Sequence, residues 1–292
     1  MGAPAEERAG AARMPLRIVD AQVHIWAPDN PKRPWPPEVR DRVHRPVPIT
    51  AESLLAEMEE AGVERAVLVP PSWEGDRNDV CLAASRKYPD RYATMGRISL
   101  TDPESPARVA RAHDEPGLLG FRFTFNTDRS RPWLVDGTAD WLWPAAEKAG
   151  VPLMILPPGA LGAVKRIVQR HPGLKLTIDH MAIVRANRDD AAFGHLDELL
   201  ALARYPNVSV KATCLPEYST EPYPFRGMHK YVQRVVETFG PERVFWGTDM
   251  SRSPISYRRN VTLFTEEMPF LDDRARRLIM GQAICDWLDW PL

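Results

Sequence analysis

The 292-residue sequence predicts an α/β protein with a single (β/α)8 TIM barrel, whose active site lies at the C-terminal ends of the strands. Eight short β-branched or apolar runs recur along the chain, and most are followed by a stretch with helical periodicity. This alternation extends over about 250 residues, the usual size of such a barrel. No glycine-rich phosphate-binding loop follows the first run, which disfavours a doubly wound open sheet.

The strands are predicted from their β-branched and apolar residues. In chain order these runs cover 16–25, 65–70, 91–100, 117–123, 151–156, 174–179, 207–212 and 243–248. The helices are predicted from apolar residues that recur at helical spacing. They cover 51–61, 78–88, 104–114, 138–149, 159–171, 189–204, 227–239 and 256–268, and a last amphipathic stretch at 272–288 closes the chain.

Glycine and proline mark the junctions between predicted helices and strands. Gly62, Gly150 and Gly173 each stand just past a helical stretch, where glycine commonly ends a helix. Pro89 and Pro206 follow two other helical stretches, and proline cannot continue a helix. The order of helices and strands therefore has local support as well as support from hydrophobic periodicity.

Composition excludes several classes of partner. The chain has 38 basic and 39 acidic residues, so no basic excess is present to follow a phosphate backbone, and we expect no nucleic-acid partner. No run reaches 18 uninterrupted apolar residues, so we expect no membrane span. Cys81, Cys214 and Cys285 are odd in number and form no CxxC pair, which indicates buried thiols in the reducing cytoplasm.

The chain shows no break in composition that would divide two domains. We expect residues 1–14 to form a disordered tail, since they lack the apolar core of a signal peptide, and residues 15–292 to form the barrel. A proline-rich loop of about 25 residues follows the first strand, and loops of this length are often functional. His44 in this loop is a candidate for substrate contact, and so is Asn78, which follows the second strand. The nine tryptophans are compatible with a homodimer surface or with a well-filled core.

Ionisable residues stand at the ends of most predicted strands, where barrel enzymes hold their catalytic groups. By period-two alternation, Asp20, Gln22 and His24 share one face of the first strand. The later strand ends contribute Arg97, Arg122, Asp179, His180, Lys211 and Asp249. Burying so many charged groups without a function is costly, so their convergence on one opening indicates a functional site.

Each of these residues also has a structural interpretation. Lys211 is able to pair with Asp179 or Asp249, and Arg97 is able to bridge two neighbouring strands. Asp20 and Asp179 are able to brace loops or to accept backbone hydrogen bonds. The sequence leaves these alternatives open.

Four segments together resemble a known family. They are IVDAQVHIW at the first strand, TIDHMA at the sixth, VSVKA at the seventh and VFWGTDMSR at the eighth. In this order they are similar to the amidohydrolase superfamily, in particular its amidohydrolase-2 branch, which includes pyrone-dicarboxylate lactonase-like hydrolases and metal-dependent decarboxylases. The resemblance extends from about residue 16 to residue 290. It implies a (β/α)8 barrel that hydrolyses or decarboxylates small carboxylated or cyclic substrates.

The resemblance assigns catalysis to His24, His180 and Asp249, which match the second histidine of the family's HxH motif, its strand-six histidine and its strand-eight aspartate. Gln22 replaces the first histidine of HxH, and the strand-five position falls in the apolar LMILPP. A catalytic zinc takes three protein ligands. Two possibilities therefore stay open: no cofactor, or one divalent ion (zinc, manganese or iron) held by the same three residues.

The hypothesis that follows is hydrolysis of a small carboxylated cyclic ester or amide. Asp249 would act as the general base toward water, while His24 and His180 polarise the carbonyl. The predicted substrate-binding residues are Arg122, which would hold a carboxylate bidentately, and Lys211, Gln22 and Trp73. The alternatives are a metal-dependent decarboxylase of a small aromatic or unsaturated acid, and a non-catalytic barrel.

Overall fold

The computed structural model describes residues 16–37 and 43–292; the predicted tail at 1–14 lies outside the described residues. The eight predicted strands are present and form one parallel sheet in chain order, each paired with the next. Their bounds are β1 Val19–Val23, β2 Arg65–Leu68, β3 Tyr92–Gly96, β4 Leu118–Thr124, β5 Leu153–Leu156, β6 Leu176–Ile178, β7 Val208–Thr213 and β8 Val244–Gly247. The sheet curves into a nearly closed barrel, which confirms the predicted fold class.

Helices connect the strands on the outside of the barrel. They are α1 Ala51–Ala61, α2 Asp79–Lys87, α3 Ser105–Ala110, α4 Leu142–Ala149, α5 Leu161–Arg170, α6 Asp189–Ala192, α7 Leu196–Leu200, α8 Arg226–Phe239, α9 Tyr257–Thr265, α10 Asp273–Arg277 and α11 Ala283–Trp287. A π-helical turn at Leu278–Gln282 joins α10 to α11. Within the described ranges no helix combines the length and apolarity needed to span a bilayer.

The predicted helix at 189–204 is wrong in its continuity. The segment instead contains two short helices, α6 and α7, and a 3₁₀ turn at Ala201–Arg204. Gly194 stands at the break, and glycine loses more backbone freedom in a helix than any other residue. The other helices fall within their predicted ranges or within one residue of them, and α1 agrees at both ends.

The barrel interior is apolar at its amino-terminal end. Val19, Val67, Met95, Met154 and Phe245 form one buried cluster with residues of α11. The helix α11 therefore covers the bottom of the barrel. A second, larger cluster fills the layer between strands and helices. Since this apolar cluster is confined to the amino-terminal end, polar side chains at the opposite, carboxyl-terminal end are able to line a functional site.

Asp20 does not share a face with Gln22 and His24, which corrects the alternation predicted for the first strand. The register of β1 against β2 shifts between Asp20 and Val23, as at a β-bulge. The Asp20 carboxylate faces α9, where it accepts a hydrogen bond of 2.8 Å from the Tyr257 hydroxyl. Such a shift breaks the strict alternation of side chains, and the sequence pattern alone does not indicate it.

Asp20 instead joins β1 to the end of β8. Its Oδ1 accepts hydrogen bonds from the backbone N–H groups of Gln22 and Thr248, both at 2.9 Å, and its Oδ2 accepts one from the Thr248 hydroxyl at 2.6 Å. The backbone N–H of Asp249 also donates to the Gln22 carbonyl at 2.9 Å. The interpretation that Asp20 accepts backbone hydrogen bonds is confirmed.

Candidate active site

The strands β6, β7 and β8 are each followed by a non-glycine residue in the left-handed region. These residues are His180 (φ 50°), Cys214 (φ 61°) and Asp249 (φ 47°). This conformation is unfavourable for an L-residue and persists only where the surrounding structure enforces it, often at functional sites. Here it turns the chain sharply at the carboxyl ends of the strands, where the side chains of His180 and Asp249 face the barrel mouth.

A cavity of about 690 Å³ opens at this end of the barrel. Five of the seven predicted site residues lie in its wall: His24, Trp73, Arg122, His180 and Asp249. The remaining lining residues are His44, Ser72, Thr124, Asn126, Thr127, Asp128, Arg131, Leu156, Pro158, Gly159, Ile183, Val184, Arg185, Ala186, Tyr218 and Arg252. The volume suits a small-molecule ligand.

Asp249 lies among positively charged and imidazole groups. Its Oδ1 is 3.3 Å from His24 Nε2, and its Oδ2 is 3.7 Å from His180 Nε2 and 3.4 Å from Arg252 Nη1. Burial alone would raise the pKa of Asp249, but His24 and His180, which are protonated at the acid pH where this carboxyl titrates, and Arg252 outweigh it and hold that pKa well below its usual range. Oδ1 has no hydrogen-bond partner in the described part of the chain.

Both histidines beside Asp249 are buried and neutral near pH 7. Burial lowers the pKa of His180 to about 4 and lowers that of His24, in each case against the attraction of Asp249. The ring of His24 is fixed by Nδ1, which lies 2.6 Å from the Val69 carbonyl. The ring of His180 is fixed by Nδ1, which lies 2.7 Å from the Thr213 hydroxyl. Asp249 is therefore the ionised member of this group.

The other two predicted site residues, Gln22 and Lys211, lie below the cavity. Both are fully buried and do not line its wall. Lys211 Nζ donates to Gln22 Oε1 at 2.7 Å and pairs with Asp179 Oδ1 at 3.0 Å, so Asp179 is its partner among the alternatives left open. Arg122 Nε donates to the other oxygen of Asp179 at 2.8 Å. The substrate-binding roles of Gln22 and Lys211 stay predictions.

Two weaker candidates hold loops together. The Asn78 side chain accepts from the Arg97 backbone N–H at 2.7 Å and donates to the Arg97 carbonyl at 2.8 Å. The Arg97 guanidinium in turn donates to the Gly75 carbonyl at 3.1 Å. Neither side chain lies in the cavity wall.

Two further residues line the cavity: Arg252, which is not among the residues predicted from the sequence, and His44, which is a predicted candidate for substrate contact. Arg252 stands three residues after Asp249 in the VFWGTDMSR segment, and this proximity is the sequence signal that indicates it. In the structure it pairs with both Asp249 and Glu217. His44 reaches the cavity from the long loop, where its Nδ1 lies 2.7 Å from the Ser251 hydroxyl and its ring packs edge-on against Trp73. No sequence signal fixes where such a loop residue lies.

The residues present do not fit a metal centre. Within residues 16–37 and 43–292 no three His, Cys, Asp or Glu side chains are arranged to hold one ion. His24 and His180 face different oxygens of Asp249. Gln22 offers an amide at the position where the HxH motif has its first imidazole. Because a catalytic zinc takes three protein ligands, we assign no chemical step to a metal.

The barrel mouth thus gathers carboxylate, imidazole and guanidinium groups around one cavity. The amidohydrolase family model matches residues 19–284, and the chain belongs to this family. It is 28% identical over 247 residues to the L-fucono-1,5-lactonase of Burkholderia ambifaria, and this alignment covers 79% of each of the two chains. It is 26% identical over 261 residues to the 4-sulfomuconolactone hydrolase of Hydrogenophaga intermedia, which covers 82% of this chain and 78% of the relative.

A solved structure shares the fold. The crystal structure of an amidohydrolase from Burkholderia multivorans superposes with a TM-score of 0.77 at 20% identity and covers 94% of this chain and 100% of that chain. The family match and the two hydrolase relatives identify the chain as an amidohydrolase-like hydrolase.

Proposed function

We propose that this enzyme hydrolyses a small lactone that carries a carboxylate, with Asp249 as the general base. Both relatives by sequence are named as enzymes that act on lactones, which supports the choice of a cyclic ester. The observation that carries the proposal is the Oδ1 atom of Asp249, which is buried, unpartnered among the described residues and 3.3 Å from His24 Nε2. An ionised oxygen in this position is able to accept a proton from a water molecule that enters the cavity.

The reaction takes two steps on this geometry. In the first, the water oxygen bonds to the lactone carbonyl carbon, Asp249 takes one water proton, and the carbonyl oxygen becomes an oxyanion. In the second, the oxyanion re-forms the carbonyl, the bond from the carbonyl carbon to the ring oxygen breaks, and that oxygen receives the proton from Asp249. The product is an open-chain hydroxy acid, and Asp249 is again ionised.

Arginine side chains set the preferred substrate charge. Arg122, Arg131, Arg185 and Arg252 line the cavity, whereas its carboxylates are Asp249 and Asp128. Arg122 uses Nε for Asp179 and its side chain still lines the cavity, which leaves terminal N–H groups for a substrate carboxylate. An anionic lactone is therefore favoured over a neutral one of the same ring size.

The experiment is turnover of a panel of five- and six-membered lactones, with and without a carboxylate, together with the matching cyclic amides. The substitution Asp249→Asn keeps the side-chain shape but removes the base, so we expect kcat to fall by about 10³-fold, while the Kd for the substrate changes little. Asp197→Asn, at an exposed surface aspartate of α7, is the matched control. An Asp249→Asn variant that kept most of its kcat would show that another group is the base.

Addition of small aromatic and unsaturated acids to the panel separates the alternatives. Release of CO2 from aromatic or unsaturated acids, lost on chelation, would indicate a metal-dependent decarboxylase. Absence of turnover on every compound by well-folded protein would favour a non-catalytic barrel. A cytoplasmic location and a homodimer stay predictions from the sequence, as does the absence of nucleic-acid and membrane partners.

A further inference from the structure

We propose that Gln22 and Lys211 are positioning residues, which fix His24 in the tautomer that presents an unprotonated Nε2 to the water beside Asp249. The inference rests on the proposed hydrolysis for its function, but the tautomer itself follows from hydrogen bonds alone. It also gives a role to two fully buried polar residues that do not reach the cavity.

Lys211 determines the orientation of the Gln22 amide. An ammonium group only donates hydrogen bonds, so the Gln22 atom that lies 2.7 Å from Lys211 Nζ must be the carbonyl oxygen. Burial lowers the pKa of Lys211, but the Asp179 carboxylate, with Oδ1 3.0 Å from Nζ, opposes this shift and favours the ammonium form. The Gln22 NH2 group therefore points the other way, toward His24.

Two independent contacts then give His24 the same tautomer. The Gln22 NH2 group lies 3.4 Å from His24 Nε2 and only donates, so it favours a lone pair on Nε2. On the opposite side of the ring, the Val69 carbonyl only accepts and lies 2.6 Å from Nδ1, so Nδ1 carries the proton. A neutral imidazole with its proton on Nδ1 has its lone pair on Nε2.

This tautomer places two acceptors side by side at the cavity wall. His24 Nε2 and Asp249 Oδ1 are 3.3 Å apart, and a water molecule has two O–H groups to donate, one to each. A water held in this way directs its oxygen lone pair toward the cavity, where the lactone carbonyl would lie. His24 thus holds the water rather than polarising the carbonyl, which leaves that second task to donors such as Arg122.

The direct test is nitrogen NMR on the wild-type protein labelled with ¹⁵N-histidine, after dialysis against a chelator, at pH 7. The His24 signals are assigned by their loss in His24→Asn. We expect Nδ1 to be protonated and Nε2 to be unprotonated. A proton on Nε2, alone or together with one on Nδ1, would overturn the inference.

Gln22→Glu is the decisive variant, because it preserves the shape and the contact with Lys211 but replaces the donor to His24 with an acceptor. We expect a proton to appear on His24 Nε2, and kcat to fall by about 100-fold with KM unchanged, since the effect is on the water and not on substrate binding. Gln169→Glu, on the exposed face of α5, is the matched control and should change neither quantity. An unchanged His24 spectrum in Gln22→Glu would also overturn the inference.

Lys211→Met tests whether Lys211 orients the Gln22 amide. Loss of the ammonium frees the Gln22 amide to rotate, and we expect His24 to populate both tautomers; retention of the single wild-type tautomer would remove Lys211 from the proposal. If this variant does not fold, the wild-type spectrum and Gln22→Glu decide. The proposed function fails separately: the expected spectrum without any lactone turnover would refute the reaction, and turnover with a protonated Nε2 would refute only this inference.

Discussion

At the scale of single residues, one carboxylate joins the first strand to the end of the last. Asp20 accepts four hydrogen bonds, from the backbone of Gln22, the backbone and hydroxyl of Thr248, and the hydroxyl of Tyr257. Burial is nevertheless the larger influence and raises the pKa of Asp20 from 3.8 to about 6. The protein therefore binds the Asp20 proton more tightly when folded than when unfolded.

This difference predicts a pH dependence of stability. Between pH 4 and pH 6 the folded state holds more of the Asp20 proton than the unfolded state does, so the contribution of Asp20 to the free energy of unfolding falls as the pH rises through this window and levels off above it. A rise in pKa from 3.8 to about 6 corresponds to roughly 3 kcal/mol. The measurement is denaturant unfolding of the wild type and of Asp20→Asn at several pH values. A difference in unfolding free energy between the two proteins that stayed constant from pH 4 to pH 7 would contradict the prediction.

Arg122 provides a prediction about substrate charge. Arg122→Lys keeps one positive charge, but Asp179 attracts a lysine ammonium, and the two-pronged contact with a substrate carboxylate is lost. We expect KM for a carboxylated lactone to rise by about tenfold, the equivalent of 1.4 kcal/mol, and KM for its uncarboxylated counterpart to stay the same. The check is a pair of steady-state assays on the two lactones. An equal rise in both KM values would mean that Arg122 supports the cavity without reading the substrate charge.

The expectation that polar residues at the carboxyl ends of barrel strands meet in one site predicted part of the cavity wall. His24, Arg122, His180 and Asp249 reach one cavity because parallel strands in a barrel end at the same edge. This expectation does not say how deep a residue lies along its strand, so it predicts Lys211 at the mouth, although this residue is fully buried beneath the cavity. Depth depends on the register between strands, and the shift in β1 that turns Asp20 outward is a further example.

At the scale of elements, local signals located the strands better than they located the helix interruptions. A buried strand is a short apolar run that turn residues delimit, and both parts are visible in the sequence. The break between α6 and α7 contains a single glycine, Gly194, inside a stretch that otherwise has helical periodicity. The π-helical turn at Leu278–Gln282 has no periodic signal of its own.

The π-helical turn supports a prediction about Gly281. A Cβ atom added there would lie 2.3 Å from the Arg17 carbonyl and 3.3 Å from Val19 Cγ2, so the turn packs its backbone directly against the start of β1. We expect Gly281→Ala to lower the free energy of unfolding by about 2 kcal/mol or more, because neither backbone can move independently.

The matched control for Gly281→Ala is Gly162→Ala in α5, where an added Cβ meets no atom within 4 Å. We expect this control to raise the free energy of unfolding by about 0.5–1 kcal/mol, since alanine suits a helix better than glycine. Denaturant unfolding of both variants measures the two effects. Equal effects of the same sign would show that the close approach at Gly281 does not constrain the packing.

At the scale of the whole molecule, the two ends of the barrel have different chemistry. The helix α11 and its apolar neighbours fill the amino-terminal end, and the charged residues gather at the carboxyl-terminal end. In the cavity wall Asp249 balances part of the arginine charge, and beneath it Asp179 pairs with Lys211 and Arg122. Side chains therefore supply the positive charge at this site.

A barrel organised in this way should not depend on a metal ion. A metal that bound the folded state would raise the free energy of unfolding, by about 2.7 kcal/mol at a free concentration of 100 times its Kd. We expect dialysis against a chelator, or addition of zinc, manganese or iron, to leave both Tm and lactone turnover unchanged, because His24, His180 and Asp249 are not arranged as one ligand set. Thermal unfolding and metal analysis by mass spectrometry provide the measurement, with Asp249→Asn alongside.

Near-stoichiometric metal in the wild type, lost in Asp249→Asn, together with a lower Tm after chelation, would show that the side chains at the ends of β1, β6 and β8 rearrange around an ion. The Gln22 amide would then have to turn or withdraw from His24, because a metal on Nε2 would occupy the lone pair that the amide now faces. Such a result would refute the water-holding role of His24 and would favour metal-dependent decarboxylation over hydrolysis.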